Sequence, residues 1–317
     1  MTNYLIRRTI AAVIVLFLLS IVVLRLVHWL PGDVLIVKLG QGGRISPDKL
    51  AEARKQLGID RPLVVQYTTW LGHILRGDFG HSLLFPDRSV VSLYGSGLPI
   101  TLELSLLGLI IALLIAIPVG VISAVQQDTW LDYVTRVAAI LGLAVPGFWL
   151  GTLSLLYGQL WFHWTPPLRY VSFAQNPGSN IQTFILPSLI LGFGVGAGLT
   201  RITRSSVLEA LRNDYVRTAR AKGLRSGTVI IRHVLRNSLI PVVTVLGLSV
   251  ATLLGGQVIL EQLFGLPGIG LITLNGVLTR DYTVIQGGAL MLGAVTIFTN
   301  LIVDCSYAFL DPRIRYS

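Results

Sequence analysis

Long apolar runs alternate with short charged segments along almost the whole chain. Six runs come close to the length of about 20 apolar residues that a helix needs to cross the hydrocarbon of a membrane. They cover residues 9–30, 104–127, 137–162, 184–200, 238–260 and 283–303. Pro118 and Pro146 lie within the second and third runs, and neighbouring helices can satisfy the carbonyls that such prolines free. The pattern therefore predicts an all-α integral membrane protein with six transmembrane helices.

The first run could instead be a secretory signal peptide, because it follows Arg7 and Arg8. It is longer than the usual apolar part of a signal peptide, and no small-residue cleavage site precedes Pro31. Its one charge, Arg25, lies near the far end, where a long side chain can reach the interface. We therefore predict that this run is kept as the first transmembrane helix.

Arginine and lysine set the orientation of these helices, since cytoplasmic loops of membrane proteins are enriched in both. If the N-terminus is cytoplasmic, the two short outer loops contain only Arg169 and Arg280. The inner segments carry far more basic residues: they are 1–8, 128–136, 201–236 and the tail from 304. Both termini are thus predicted to face the cytoplasm.

The segment 31–97 is then extracytoplasmic, and it carries signals for two short helices. Ser46 and Pro47 form a helix start with a capping hydroxyl and a first-turn proline, and Gly58 ends that helix. A second helix is predicted over residues 65–75. These helices either pack against the outer mouth of the bundle or contact a protein that delivers the substrate.

Composition agrees with a membrane protein and disfavours several other classes. Charged residues make up 13% of the chain and the mean hydropathy is +0.72, whereas about a quarter of a soluble domain is charged. The net charge of +10 comes from residues between apolar runs, so a nucleic-acid partner is not expected. A single cysteine, Cys305, excludes a disulfide within the chain.

The sequence lacks the common motifs for nucleotide binding and for metal catalysis. It contains no G-x-x-x-x-G-K-[ST] phosphate loop and no H-E-x-x-H zinc motif, so neither nucleotide hydrolysis nor metal catalysis is expected. The acids nearest to the apolar runs, Glu103, Glu261 and Asp304, fall at the ends of those runs. Their placement disfavours a proton relay inside the membrane.

Glycines at regular spacing mark the fourth apolar run, at positions 192, 194, 196 and 198. Small residues four apart let helix backbones approach closely in lipid. Close packing of helices is therefore predicted, and lining of the transport pathway is the alternative. No pathway residue is assigned from the sequence.

The longest inner loop, residues 201–237, holds the most informative segment of the chain. Residues 214–224 read D-Y-V-R-T-A-R-A-K-G-L, and a second amphipathic stretch follows. The pattern predicts a helix, a break at Gly223 and another helix. Val216, Ala219 and Gly223 are predicted to form a small-residue face that docks into a groove on another protein. The alternative is a pair of interfacial helices attracted to anionic lipid.

This segment resembles the coupling-helix signature of permeases of binding-protein-dependent ABC importers, in the dipeptide, oligopeptide and nickel group. Stretches over nearly the whole chain are similar to that group: 30–33 (L-P-G-D), 57–63 (L-G-I-D-R-P-L), 77–80 (G-D-F-G), 264–270 (F-G-L-P-G-I-G), 280–282 (R-D-Y) and 310–316 (L-D-P-R-I-R-Y). Together they look like the first, or B-type, of the two permeases in such systems. The departures from the family pattern are local. The general motif has E-A-A where this chain has R-T-A before Gly223, and it has a proline at the position of Arg236. This group also commonly has a proline at the position of Val34.

The resemblance implies a type I ABC importer permease fold and a division of the chain. The implied segments are 1–30 (cytoplasmic end and first helix), 31–97 (extracytoplasmic, helical), 98–304 (five transmembrane helices with the coupling loop 201–237) and 305–317 (cytoplasmic tail). It also implies a coupling helix that docks onto an ATPase. The docking residues would be Tyr215, Val216, Arg217, Thr218, Ala219, Arg220, Ala221, Lys222, Gly223 and Leu224.

The same resemblance implies the partners and the location. The partners are a homologous second permease, two cytoplasmic ATPase subunits and an extracytoplasmic substrate-binding protein. ATP and Mg²⁺ would bind to the ATPase subunits, and this chain would bind no cofactor. The location is the lipid bilayer of a bacterial or archaeal plasma membrane.

Alternatives concern the substrate and the class of protein. Di- or oligopeptides are the expected substrates, and nickel or other metal chelates and oligosaccharides are imported by the same architecture. A stand-alone channel or facilitator is the alternative from another class, and it would need no docking loop. A membrane-embedded enzyme is the third hypothesis, but the sequence offers no catalytic grouping for it.

Overall fold

A computed structural model of the chain describes residues 2–29, 61–167, 170–254 and 257–310. Almost all of this part of the chain is helical, because backbone groups inside a bilayer must find their hydrogen-bond partners within the protein. The helices are α1 (Thr2–Trp29), α2 (Leu63–Leu75), α3 (Val90–Val125), α4 (Trp130–Ala144), α5 (Gly147–Phe162), α6 (Pro177–Leu211), α7 (Asp214–Ala221), α8 (Ser226–Leu254), α9 (Val258–Leu263), α10 (Ile269–Leu278) and α11 (Tyr282–Leu310).

Five of the described helices, α1, α3, α6, α8 and α11, are long and apolar enough to cross a membrane. The pair α4 and α5 passes the same test together and makes a sixth span, but it is bent by 94°. The sequence predicted one uninterrupted helix here. Val145 adopts an extended conformation instead, at φ −82° and ψ 121°, because a residue that precedes proline is disfavoured in the α region. The six-span prediction is confirmed, and its third span is broken before Pro146.

Several helices extend beyond the apolar runs that predicted them. α3 begins at Val90 and α8 begins at Ser226, well before the runs at 104 and 238. Glu103 therefore lies inside a continuous helix. The fifth run was predicted to reach residue 260, but α8 ends at Leu254. Glu261 belongs to the separate short helix α9 and is fully buried.

The chain divides into two compact units. The first contains Met1–Thr101, Gly255–Val258 and Pro267–Leu301. Its core is formed by Val90, Tyr94, Ile269 and Val284. Tyr94 Oη lies 2.8 Å from Thr273 Oγ1, so the one polar atom of this buried ring has a partner.

Asp281 fixes the segment that precedes α3 to the start of α11 within this first unit. Its buried carboxylate accepts hydrogen bonds from the Ser82 hydroxyl and from the Leu83 N–H, the latter at 2.9 Å. It also accepts one from the Val284 N–H at 3.2 Å, which caps α11. The R-D-Y motif thus has a structural explanation, since removing such a carboxylate would leave several buried donors unpaired.

The predicted helix over residues 65–75 is present as α2, in the first unit. Its C-terminal turn leads into Asp78, which accepts a hydrogen bond from the Gly80 N–H at 2.9 Å. This bond and the nearby His73 ring hold the pKa of Asp78 below its ordinary value. The helix predicted to start at Ser46 lies outside the described residues, and the side of the membrane on which α2 lies stays a prediction.

The second unit contains Leu102–Leu254, Ile259–Leu266 and Ile302–Ser317. Ala112, Ala116, Leu199 and Val242 form a core in which α3, α6 and α8 meet. Gly192 and Gly196 are buried in this packing. A Cβ atom added at Gly192 would lie 2.6 Å from Ile111 Cγ2 and 2.8 Å from the Gly108 carbonyl oxygen.

The glycines of α6 therefore differ in what they do. A Cβ at Gly196 would lie 3.2 Å from the backbone of Ala112, so this glycine also allows α3 to approach α6. At Gly194 no atom lies within 4 Å of the added Cβ. The packing prediction is confirmed for Gly192 and Gly196.

Replacing Gly192 with alanine should destabilise the second unit, since its Cβ would overlap Ile111 and the α3 backbone. Overpacking of this kind costs roughly 1–3 kcal/mol, more than the gain of about 0.5–1 kcal/mol in helix propensity. We expect Gly192→Ala to lower the midpoint of thermal unfolding in detergent. Gly194→Ala, on the same helix with open space around it, is the matched control and should not lower it. Equal midpoints for the two variants would contradict the packing described here.

Candidate functional site

The predicted helix, break and second helix of the inner loop are all present. α7 spans Asp214–Ala221, with Asp214 in its first turn and Arg220 in its last, where their charges favour the helix dipole. Gly223 has φ +77°, in the left-handed region. The Gly223 N–H bonds to the Arg220 carbonyl at 2.9 Å and the Leu224 N–H to that of Ala219 at 3.4 Å, the Schellman pattern that ends a helix.

The inner face of α7 is buried in the second unit. Val216 is 0% exposed and Ala219 is 6% exposed. Both belong to an apolar cluster with Ala124 of α3, Val207 and Ala210 of α6, and Val229 and Val234 of α8. We call this set the α7 cluster. It attaches α7 to three membrane helices at once.

The predicted docking face is therefore wrong in part. Val216, Ala219 and Gly223 were expected to point together at another protein, but Val216 and Ala219 point into their own chain. The reason is that two small side chains three apart pack as well against the chain's own helices as against a partner. Gly223 alone of the three is exposed.

The exposed surface of α7 and of the turn after it is basic. Arg217 is 80% exposed, and its ion pair with Asp214 is long, at 3.8 Å, so it adds little stability. The α7 surface, as we name it, consists of Tyr215, Arg217, Thr218, Arg220, Ala221, Lys222, Gly223 and Leu224. Its cations stand between two exposed apolar side chains, Tyr215 and Leu224, a mixture suited to binding a protein surface.

α8 begins with an irregular turn that completes the α7 cluster. Val229–Val234 is a π-helix, whose hydrogen bonds join residues five apart. Val229 and Val234 are themselves five apart, and both are buried. The wider turn therefore places both side chains against α7 where α8 starts.

A buried ion pair lies beside the α7 cluster, and no motif along the chain indicates it. Asp132 of α4 is fully buried, with Arg204 Nε 2.7 Å from its Oδ1 and Nη2 2.8 Å from its Oδ2. The Ser123 hydroxyl donates to Oδ1 at 2.6 Å and the Asp128 N–H to Oδ2 at 3.0 Å. We call these groups the Asp132 cluster. Asp132 and Arg204 are 72 residues apart, and each looked like an ordinary loop charge.

Comparisons with protein families cover most of the chain. Residues 116–316 match the family described as binding-protein-dependent transport system inner membrane component. Residues 1–83 match the N-terminal family of binding-protein-dependent transport system membrane components. The α7 surface, the α7 cluster and the Asp132 cluster all lie within the first of these matches.

Two named permease proteins are similar to this chain over its full length. AppB, the oligopeptide transport system permease protein of Bacillus subtilis, is 36% identical over 318 residues, with 100% of both chains covered. GsiC, the glutathione transport system permease protein of Salmonella choleraesuis, is 38% identical over 316 residues, again with 100% of both chains covered.

Solved structures share the fold. The inward-facing MetNI methionine ABC transporter has a TM-score of 0.56 at 16% identity, over 69% of this chain and 96% of that chain. An amino acid ABC transporter solved with histidines has a TM-score of 0.52 at 16% identity, over 70% of this chain and 94% of that chain. The fold is thus that of the permease subunits of type I ABC importers.

Cysteine substitutions at neighbouring positions of α7 will test which face is exposed. In a background with Cys305→Ser, Arg217→Cys should react readily with a water-soluble maleimide, because Arg217 is 80% exposed. Val216→Cys should react only after unfolding, because Val216 is 0% exposed. Labelling is read from the mass of the purified protein in detergent. Similar labelling of both variants in the folded state would contradict the orientation of α7.

Proposed function

The chain belongs to the family of binding-protein-dependent transport system inner membrane components. We propose that it carries di- or oligopeptides across the membrane and that the driving force reaches it through α7. It is a multi-pass permease subunit of a bacterial ABC importer. A family of this kind works with an ATPase and a substrate-binding protein.

The observation that carries the proposed coupling role is the division of α7 into two faces. Val216 and Ala219 attach the helix to α3, α6 and α8, while the α7 surface is exposed and basic. A helix held in this way transmits a push on its outer face to three membrane helices together. Closure of an ATPase pair would then move those helices as rigid bodies and alternate access to the pathway.

Peptides are the substrate class that the relatives favour. AppB is named for oligopeptide transport and GsiC for glutathione, a tripeptide, and both match this chain along its full length. Metal chelates and oligosaccharides are the alternative substrates, and an uptake assay distinguishes them from peptides. An ATP-independent channel would make no use of the α7 surface.

The proposed complex contains this chain, a homologous second permease, two ATPase subunits and an extracytoplasmic binding protein. ATP and Mg²⁺ bind to the ATPase subunits, and this chain hydrolyses nothing and holds no cofactor. The distribution of arginine supports an orientation with both termini and α7 in the cytoplasm. Residues 31–97 then face the binding protein, and 98–304 form the transmembrane domain.

Reconstitution tests the function directly. The chain is expressed together with a second permease, ATPase subunits and a binding protein from the same organism, and the purified complex is placed in liposomes. We expect uptake of labelled di- or oligopeptides that needs ATP and the binding protein, and little uptake of nickel chelates or oligosaccharides. Uptake by this chain alone, without ATP, would support a channel and contradict the proposal.

Gly223→Ala should weaken coupling between hydrolysis and uptake. A residue with a side chain costs about 1–2 kcal/mol in the left-handed conformation of Gly223, which would unwind the end of α7 and displace Leu224. Gly227→Ala is the matched control, because an added Cβ also meets no atom within 4 Å there but no positive φ is required. The ratio of peptide transported to ATP hydrolysed should fall for the first variant only. An unchanged ratio in Gly223→Ala, with the ATPases still bound, would contradict the coupling role.

A further inference from the structure

The ends of α3 and α6 near α7 are joined in three successive layers. In the first, a Cβ added at Gly120 would lie 2.7 Å from Thr203 Cβ and 3.0 Å from the Thr200 carbonyl oxygen, so the two helices are in close backbone contact. The second layer is the Asp132 cluster, and the third is the α7 cluster. These layers follow one another along both helices, and α7 covers the last of them.

Among the groups named in these three layers, α4 contributes Asp132, in the polar layer. None of the described residues of the α7 cluster comes from α4: its members belong to α3, α6, α7 and α8. At this end α4 is held by Asp132, which receives hydrogen bonds from Ser123 on α3 and from Arg204 on α6. Toward its other end α4 packs on α6 again, where a Cβ at Gly142 would lie 2.8 Å from Ala197 Cβ.

The geometry of the ion pair favours one relative position of these helices. The guanidinium meets both carboxylate oxygens side by side, at 2.7 and 2.8 Å, and a bidentate pair fixes angle as well as distance. Both partners are largely removed from solvent, with 20% exposure for Arg204 and 0% for Asp132. A shift of α4 along α3 or α6 would separate the charges in a medium that screens them poorly.

We propose that Asp132 and Arg204 are positioning residues of the transport cycle: their ion pair makes α4 move with α7, α3 and α6 as one body. The proposal rests on the proposed function, since it assumes that force arrives through α7. Neither residue touches the substrate or the ATPase in this role. Because α4 and α5 make one bent span, α4 then carries the motion of α7 into the third span of the bundle.

A structural role alone predicts a different response from a positioning role. Removing Asp132 leaves the largely buried Arg204 charge without its partner, and removing Arg204 leaves Asp132 with only the longer ion pair to Arg136, at 3.4 Å. Either change destabilises the protein, whereas replacing both partners with uncharged residues often restores stability. If the pair only neutralised its own charges, the double variant would also restore transport. If the pair positions α4, stability returns and coupling does not, because the bidentate contact is still missing.

The test compares Asp132→Asn, Arg204→Met and the double variant in the full reconstituted complex. We expect the single variants to lower the thermal unfolding midpoint and the double variant to recover much of it. In all three the ratio of peptide transported to ATP hydrolysed should fall by roughly tenfold. Recovery of the ratio in the double variant would reduce the pair to a structural role and overturn the proposal.

A matched control uses a long polar contact elsewhere in the second unit. Tyr170 Oη lies 3.5 Å from Glu103 Oε2, and neither residue belongs to the α7 surface, the α7 cluster or the Asp132 cluster. Tyr170→Phe should leave the transport ratio unchanged. A fall as large as that in Asp132→Asn would mean that loss of any polar contact in this unit has this effect, and would also overturn the proposal.

The distance between two spin labels tests whether these helices move as one rigid body. Val134 of α4 and Glu209 of α6 are both exposed and lie in the second unit, so each is replaced with cysteine in the Cys305→Ser background. The distance between the labels should be the same in the nucleotide-free and ATP-trapped complexes, and should broaden or shift in Asp132→Asn. A distance that changes between these states in the otherwise unmodified complex would overturn the proposal. A complex that shows no ATP-dependent uptake at all would instead count against the proposed function.

Discussion

Burial of two small side chains, Val216 and Ala219, determines the arrangement of the inner loop. Each is too small to anchor a helix by itself, but together they seat α7 on the ends of α3, α6 and α8. The outer face of α7 is then exposed because the inner face is occupied. The π-helical start of α8 belongs to the same contact, since it brings Val229 and Val234 against α7. A short charged helix can transmit force only if it is fixed in this way to what it moves.

Apolar contacts hold the helices together at this end of the second unit, and polar contacts fix their relative position. The apolar α7 cluster joins helices without fixing their register, because apolar packing has little directional preference. The Asp132 cluster adds direction, since a carboxylate that meets a guanidinium and a hydroxyl has few positions in which all its hydrogen bonds are made. Burial of that charge is tolerated because both oxygens are paired.

Close backbone approach supplies the rest of the packing. Apolar area does little to drive helices together in lipid, so contact depends on small residues and on shape. Gly120, Gly192 and Gly196 each permit α3 and α6 to approach more closely than side chains would allow. Two long helices packed this closely form a rigid support for the loop between α6 and α8. The bend before Pro146, by contrast, turns one apolar run into two helices that meet at 94°.

The sequence by itself determined which segments are helical and apolar, where α7 ends, and to which family the chain belongs. These properties are local or cumulative: a run of apolar residues, a glycine after a basic turn, and a set of motifs can be recognised without knowing what lies beside them. The tertiary structure decided which face of α7 is free and which charges are paired. Val216 and Ala219 have the same spacing whether they meet a partner or their own chain, and Asp132 meets Arg204 across 72 residues. Contacts of this kind depend on which helices become neighbours, and periodicity along one helix carries no information about its neighbours.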